Sequence, residues 1–145
     1  VLYDSGEQST TLDKEVEFLT NYIELMRIRY IDDVDIRFTF PDMNICRRVK
    51  LPPLLLIVLI ENAFKHGISY DKQSYIHISL YVDGNELTCL VVNSRHIKLS
   101  AEHSGIGLSN ITRRLDLLFG SRYMLDIDDV DDKKYVVKLV IPVTP

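Results

Sequence analysis

Apolar residues recur along this chain with two different periods. In the N-terminal part they return every three or four residues, which predicts an amphipathic helix that begins after Thr10 or Thr11 and ends near Tyr30. In residues 35–40 they alternate with polar residues, which predicts a strand. The same alternation returns in two pairs of segments with a short polar turn between them, so two hairpins are predicted. Their strands are residues 75–82 with 87–93, and residues 123–128 with 135–141.

The segment 51–67, LPPLLLIVLIENAFKHG, is apolar until its last turns. Pro52 and Pro53 suit the first positions of a helix and Gly67 suits its end, which predicts a helix of roughly fourteen residues. Its polar residues fall within one arc of about 140°. They are Glu61, Asn62, Lys65 and His66. This face is either a solvated surface with an ion pair, or a site for a phosphate chain with Mg²⁺, which prefers oxygen ligands.

A second candidate site follows residues 94–104, which show neither period and are predicted to form a mobile loop. Gly105 and Gly107 then open a helix that ends at Gly120. Two glycines let the backbone approach a phosphate, and the first N–H groups of a helix can donate to it. A Rossmann dinucleotide motif is excluded because no strand directly precedes the glycines, and a P-loop because Gly-Lys-Ser/Thr is absent.

The order of elements is helix, strand, helix, two strands, loop, helix, two strands. It predicts an α/β fold, a two-layer sandwich in which about three helices cover one face of a mixed, mostly antiparallel sheet. The length of 145 residues indicates one domain, and a hydrophobic content of 46% is enough for a substantial core.

Composition excludes several classes of function. The net charge is −4 at pH 7 and no basic stripe is present, so general binding to nucleic acid is not expected. Cys46 and Cys89 are isolated, which indicates neither a disulfide framework nor a zinc site. The apolar run 51–60 is too short to cross a bilayer.

Two motifs resemble those of one protein family. The residues PPLLL followed by ENAFKHG at 61–67 resemble the N box of sensor histidine kinases of the LytS type, in the superfamily of gyrase and mismatch-repair ATPases (GHKL). The residues GIGLSN at 105–110, with Arg113, Arg114 and Leu115, resemble the G2 box and its helix. The resemblance implies a Bergerat-type (HATPase) domain at residues 12–145, preceded at 1–11 by the tail of a phosphoacceptor hairpin and a linker.

The resemblance also implies roles for single residues, with ATP and Mg²⁺ as cofactors. It implies that Asn62 binds the magnesium, that Glu61 is an acid/base or water-orienting group, and that Lys65 and His66 lie near the phosphates. Further nucleotide contacts are implied at the end of the ATP lid and in the helix after it. They are Gly105, Ile106, Gly107, Leu108, Asn110 and Arg114, although a surface ion pair explains Arg114 equally well.

One position departs from the family pattern. The G1 box has an Asp that accepts a hydrogen bond from the adenine amino group, whereas this chain has Asn93 and no glycine after it. An amide oxygen can accept the same bond, but without the charge that roughly doubles its strength. The expected consequence is low affinity, a water-mediated contact, or loss of binding in a degenerate, non-enzymatic module that serves regulation or dimerisation.

The partners are implied by the resemblance alone. The γ-phosphoryl group would go to a histidine outside this chain, on a hairpin of the same or the sister subunit, and then to a response regulator. The intact protein would be a homodimer anchored in the cytoplasmic membrane, with this domain in the cytoplasm. A serine kinase that acts on an anti-anti-sigma partner shares the fold, but the Pro-Pro lead-in and the Arg113-Arg114-Leu115 helix favour the histidine kinase.

Overall fold

The computed structural model describes residues 8–30, 34–68, 73–95, 106–129 and 133–144. The elements in chain order are β1 (Thr10–Thr11), α1 (Leu12–Arg29), β2 (Val34–Thr39), α2 (Met43–Cys46), β3 (Lys50–Leu51), α3 (Leu56–His66), β4 (Ser74–Asp83), β5 (Glu86–Ser94), α4 (Ile106–Phe119), β6 (Met124–Asp128) and β7 (Lys134–Pro142). None of the helices in these ranges has the length and apolar composition needed to span a bilayer.

Five strands form one mixed sheet with the order β2-β4-β5-β7-β6. The β2–β4 pair is parallel, and the other three neighbouring pairs are antiparallel. The short strands β1 and β3 pair with each other in a separate two-stranded sheet. The predicted α/β fold with a mixed, mostly antiparallel sheet is therefore confirmed.

The core lies between one face of the sheet and the helices. Alternate residues of β4 and β5 are buried, as the period of two predicts, and α1 and α3 pack against this face. The α4 helix packs against α3 and buries its apolar stripe. The members of that stripe are Leu108, Ile111, Leu115, Leu118 and Phe119. The predicted period of this helix is therefore confirmed.

The α3 helix starts later than predicted. It begins at Leu56, and both Pro52 and Pro53 precede it, so their assignment to the first helical positions was wrong. The reason is the backbone of Leu54, which has a φ of 62°. A residue in this left-handed region cannot belong to a right-handed helix.

Residues 43–50, to which the pattern assigned no structure, contain α2 and the first residue of β3. The Asp42 side chain caps α2 by accepting a bond from the Asn44 N–H at 2.8 Å. The predicted loop 94–104 is wrong at Ser94, which is the buried last residue of β5. Residues 96–104 lie outside the described part of the chain.

The position of α3 at the centre of the core gives a stability prediction. Leu59 is 0% exposed, so Leu59→Ala should destabilise the fold by about 2–5 kcal/mol through lost burial and a cavity. Leu117→Ala is the matched control, because Leu117 on α4 is 81% exposed and should change stability by less than about 0.5 kcal/mol. Urea unfolding measures both, and equal values for the two variants would contradict the placement of α3.

Candidate functional site

The amide of Asn62 is buried on α3 without its full set of partners. The residue is 7% exposed, and its Nδ2 atom has no hydrogen-bond partner among the described residues. Leaving a buried polar group unpaired costs about 1–3 kcal/mol. Such a group in a folded protein therefore points to a ligand or an ordered water.

A second incomplete amide lies at the end of β5. Asn93 is 1% exposed, and its Nδ2 donates to the Ser94 carbonyl at 2.9 Å. Its Oδ1 has no partner within the described part of the chain. This bond fixes the orientation of the amide, because the reverse orientation would place two acceptors against each other. Asn93 therefore presents a free acceptor.

Tyr135 connects the two amides. It pairs with Asn93 in the β5–β7 register, and its hydroxyl lies beside the Asn62 amide. Burial raises the pKa of Tyr135, and the charge of Asp129 raises it further, whereas the amide of Asn62 and the charge of Arg95 lower this pKa. Asn62, Asn93 and Tyr135 therefore belong to one buried polar cluster, in which the α3 helix meets the sheet.

The C-terminal end of α3 touches the end of β5 directly at Gly67. A Cβ atom placed on Gly67 would lie 2.7 Å from the Ala63 carbonyl oxygen and 2.9 Å from both Cβ and Nδ2 of Asn93. The Ser94 hydroxyl donates to the Gly67 carbonyl at 2.6 Å and accepts from the Tyr75 N–H at 3.0 Å. Glycine is therefore required sterically at this position, which its role as a helix end did not predict.

The other polar residues of α3 lie nearer to solvent. Glu61 and Lys65 are exposed and His66 is half-buried. Burial raises the pKa of Tyr22 on α1, and the charge of Glu61 raises it further, which places the Glu61 carboxylate on the side of α3 that faces α1. The predicted polar arc therefore divides into an exposed edge and the buried amide of Asn62.

The predicted residues of the lid end are only partly described. Gly105 lies outside the described residues, and α4 begins at Ile106, followed by Gly107. Within this helix, Leu108 is buried and Asn110 is exposed. The chain therefore turns into a helix where the second motif predicts it.

Arg114 has specific contacts that the sequence did not reveal. Its Nη2 donates to the Pro53 carbonyl at 2.8 Å, and its Nη1 donates to the Leu54 carbonyl at 3.4 Å. These hydrogen bonds of Arg114 are therefore to backbone carbonyls of the turn before α3. A role in binding nucleotide stays a prediction for this residue.

The side chains available as ligands determine what kind of metal site the chain could form. No cluster of three or more His, Cys, Asp or Glu side chains suited to a metal ion occurs in the described ranges. A site with a single amide ligand remains compatible with Mg²⁺, which often takes one or two protein ligands together with phosphate oxygens and waters.

A sequence comparison with known proteins finds LytS sensor proteins as relatives of this chain. The sensor histidine kinase/phosphatase LytS of Staphylococcus aureus is 30% identical over 110 residues, which are 74% of this chain and 17% of that protein. The sensor protein LytS of Staphylococcus haemolyticus is 26% identical over 144 residues, which are 90% of this chain and 24% of that protein. By sequence the chain is therefore related to the LytS-type sensor histidine kinases. It spans about a quarter or less of these relatives. No protein-family model matches it.

Solved structures show the same fold for this LytS-type chain. The catalytic domain of histidine kinase ThkA superposes with a TM-score of 0.67 at 16% identity, covering 96% of this chain and 98% of that one. ThkA in complex with the response regulator TrrA gives a TM-score of 0.59 at 16% identity, with 94% and 41% covered. The chain therefore has the fold of a histidine kinase catalytic domain.

The contact of Gly67 with Asn93 gives a prediction for this LytS-type domain. Gly67→Ala should lower the free energy of unfolding by about 1–3 kcal/mol, because its Cβ would displace either the end of α3 or Asn93. Gly84→Ala is the control, since a Cβ there meets nothing within 4 Å and only the φ of +61° is unfavourable, at about 1 kcal/mol. Chemical denaturation measures both. A Gly67→Ala variant as stable as the wild type would contradict the close contact.

Proposed function

We propose that the chain binds Mg-ATP and transfers the γ-phosphoryl group to a histidine outside these 145 residues. The observation that carries the proposal is the pair of buried amides with unpaired atoms, Asn62 and Asn93, gathered around Tyr135. Both match positions at which the resemblance to the N box and the G1 box implies contacts with the bound nucleotide and its metal. Buried polar atoms of folded proteins usually have partners, so these two atoms are open to a ligand.

The orientation of Asn93 supports recognition of adenine. The 6-amino group of adenine is a donor, and the free Oδ1 is an acceptor held in place by the bond from Nδ2 to Ser94. Gly67 leaves room for this amide because it has no side chain. The departure from Asp to Asn would therefore preserve the hydrogen-bond pattern and remove only the charge.

The remaining site residues act on the phosphates in this proposal. Asn62 would hold Mg²⁺ through its amide oxygen, and Lys65 and His66 would contact phosphate oxygens. Glu61, on the exposed edge of α3, would act on the proton of the accepting group. Bound Mg²⁺ supplies neutralisation of the phosphate charge.

The start of α4 completes the proposed phosphate site. The first backbone N–H groups of a helix have no partners within that helix and can donate to an anion. Gly105, Ile106, Gly107, Leu108 and Asn110 would supply these contacts through the backbone and the Asn110 side chain. Such positioning is most of what a phosphoryl-transfer site requires of a protein.

The partners and location are part of the same proposal. We infer a phosphoacceptor hairpin of the same or the sister subunit, a response regulator as the next acceptor, and a homodimer. Residues 1–11 would be the tail of that hairpin and a linker, and 12–145 the catalytic domain. The intact protein would be anchored in the cytoplasmic membrane, with this domain on the cytoplasmic side.

Titration calorimetry with Mg-ADP tests nucleotide binding by this chain. The wild type should release heat and gain thermal stability, and EDTA should weaken both effects. Asn62→Ala should weaken Mg-ADP binding at least tenfold, about 1.4 kcal/mol, because the metal loses its protein ligand. Asn21→Ala, at an exposed position of α1, is the matched control. Absence of heat and of stabilisation at millimolar Mg-ADP would favour the degenerate, non-enzymatic module.

Asn93→Asp should have opposite effects on the affinity for Mg-ADP and on the stability of the free domain. The carboxylate would strengthen the bond to the adenine amino group by about 1 kcal/mol, which corresponds to roughly fivefold tighter Mg-ADP binding at pH 7. Without nucleotide the same carboxylate would be buried and unpaired, so the free domain should lose stability. Calorimetry and urea unfolding measure the two effects. Weaker binding of Mg-ADP by Asn93→Asp would contradict the adenine contact.

A further inference from the structure

The turn before α3 contains an unfavourable backbone conformation at Leu54. Its φ of 62° is in the left-handed region, where a residue with a Cβ costs about 1–2 kcal/mol. Its side chain does not compensate through burial, because it is 49% exposed. Such a conformation persists only where the surrounding contacts impose it, and it often marks a functional region.

The first of these contacts comes from α1. The Glu15 carboxylate accepts a bond from the Leu54 N–H at 3.2 Å, and Glu15 is only 5% exposed. Burial raises the pKa of Glu15, and the bond from Leu54 and the charge of Arg114 lower this pKa. A buried carboxylate is therefore placed at the backbone of this turn, with a guanidinium close enough to affect it.

The second contact comes from α4. Arg114 donates to the carbonyls of Pro53 and Leu54, so three helices meet at one turn: α1 through Glu15, α3 through its start, and α4 through Arg114. We call this set, Glu15, Pro53, Leu54 and Arg114, the three-helix clamp. It uses both the N–H and the carbonyl of Leu54, which explains why the unfavourable φ is retained.

The three-helix clamp is equally far along the sequence from the two parts of the proposed site, Asn62 and the start of α4. Asn62 is eight residues after Leu54 (62 − 54), and the start of α4 at Ile106 is eight residues before Arg114 (114 − 106). Eight helical residues span about 12 Å, so a rotation of α4 by about 5° at the clamp moves its start by about 1 Å. Misplacement by about 1 Å can cost roughly a hundredfold in rate.

We propose that Arg114 is a positioning residue, which with Glu15 and Leu54 fixes the start of α4 relative to Asn62. This inference rests on the proposed function, since it concerns the geometry of the same site. It differs from the predicted role of Arg114 as a nucleotide contact, because the guanidinium would act through the carbonyls of Pro53 and Leu54.

Mg-ADP titrations of clamp variants test this role. Arg114→Met should raise the Kd of Mg-ADP at least fivefold at a temperature at which the variant is fully folded, where lost stability alone does not change affinity. Arg114→Lys should recover part of the affinity, because an ammonium keeps the charge and a donor but not the two-carbonyl contact of the guanidinium. Arg113→Met is the matched control, since Arg113 is the exposed neighbour on the same helix, and it should leave the Kd unchanged.

Glu15→Gln distinguishes positioning from direct contact. It keeps an acceptor for the Leu54 N–H and removes the charge beside Arg114, so it should raise the Kd about twofold to fivefold. The double variant Glu15→Gln with Arg114→Met should bind Mg-ADP no more weakly than Arg114→Met alone, because both changes act through one clamp.

Other results of these titrations would contradict the positioning role of Arg114. An Arg114→Met variant with lower thermal stability and an unchanged Kd would show a structural role only. An effect of Arg114→Met with none from Glu15→Gln would show direct contact with the nucleotide. Both results leave the proposed function intact, whereas a wild type that does not bind Mg-ADP would overturn the proposed function and this inference together.

Discussion

The contact between the end of α3 and the end of β5 is the constraint on which the candidate site depends. Gly67 lies so close to Asn93 that no side chain fits between them, and the Ser94 hydroxyl joins the Gly67 carbonyl to the neighbouring strand β4. The helix therefore cannot rotate or slide along the sheet without breaking this contact. Because Asn62 is little more than one turn before Gly67, the contact also fixes the buried amide cluster.

The fold could be predicted from the sequence because its large elements are amphipathic. The period of α1, the alternation of β4, β5 and β7, and the stripe of α4 each follow from burial on one side only. The small elements β1, α2 and β3 could not be predicted in this way. They are two to four residues long, too short for a period to develop, and are defined by pairing and capping.

The site could be predicted in part. The N box identified Asn62, and the departure at Asn93 drew attention to the residue that the structure shows with a free acceptor. Tyr135 was missed because the strand pattern already explains a buried aromatic residue, and only the register of β5 with β7 brings it to Asn93. Leu54 was missed for a different reason, since its partners Glu15 and Arg114 lie 39 and 60 residues away. A local pattern contains no information on contacts at that separation.

The parallel pairing of β2 with β4 has a consequence for how the chain folds. Val34 pairs with Ser74, so α2, β3 and α3 all lie within the crossover between these strands. The hairpin of β4 and β5 has a short turn and can close early, whereas β2 can join only after a loop of about forty residues has been closed at an entropic cost. Edge strand β2 should therefore gain protection from hydrogen exchange later than the hairpin of β4 and β5 during refolding, and should lose it when the packing of α3 is weakened.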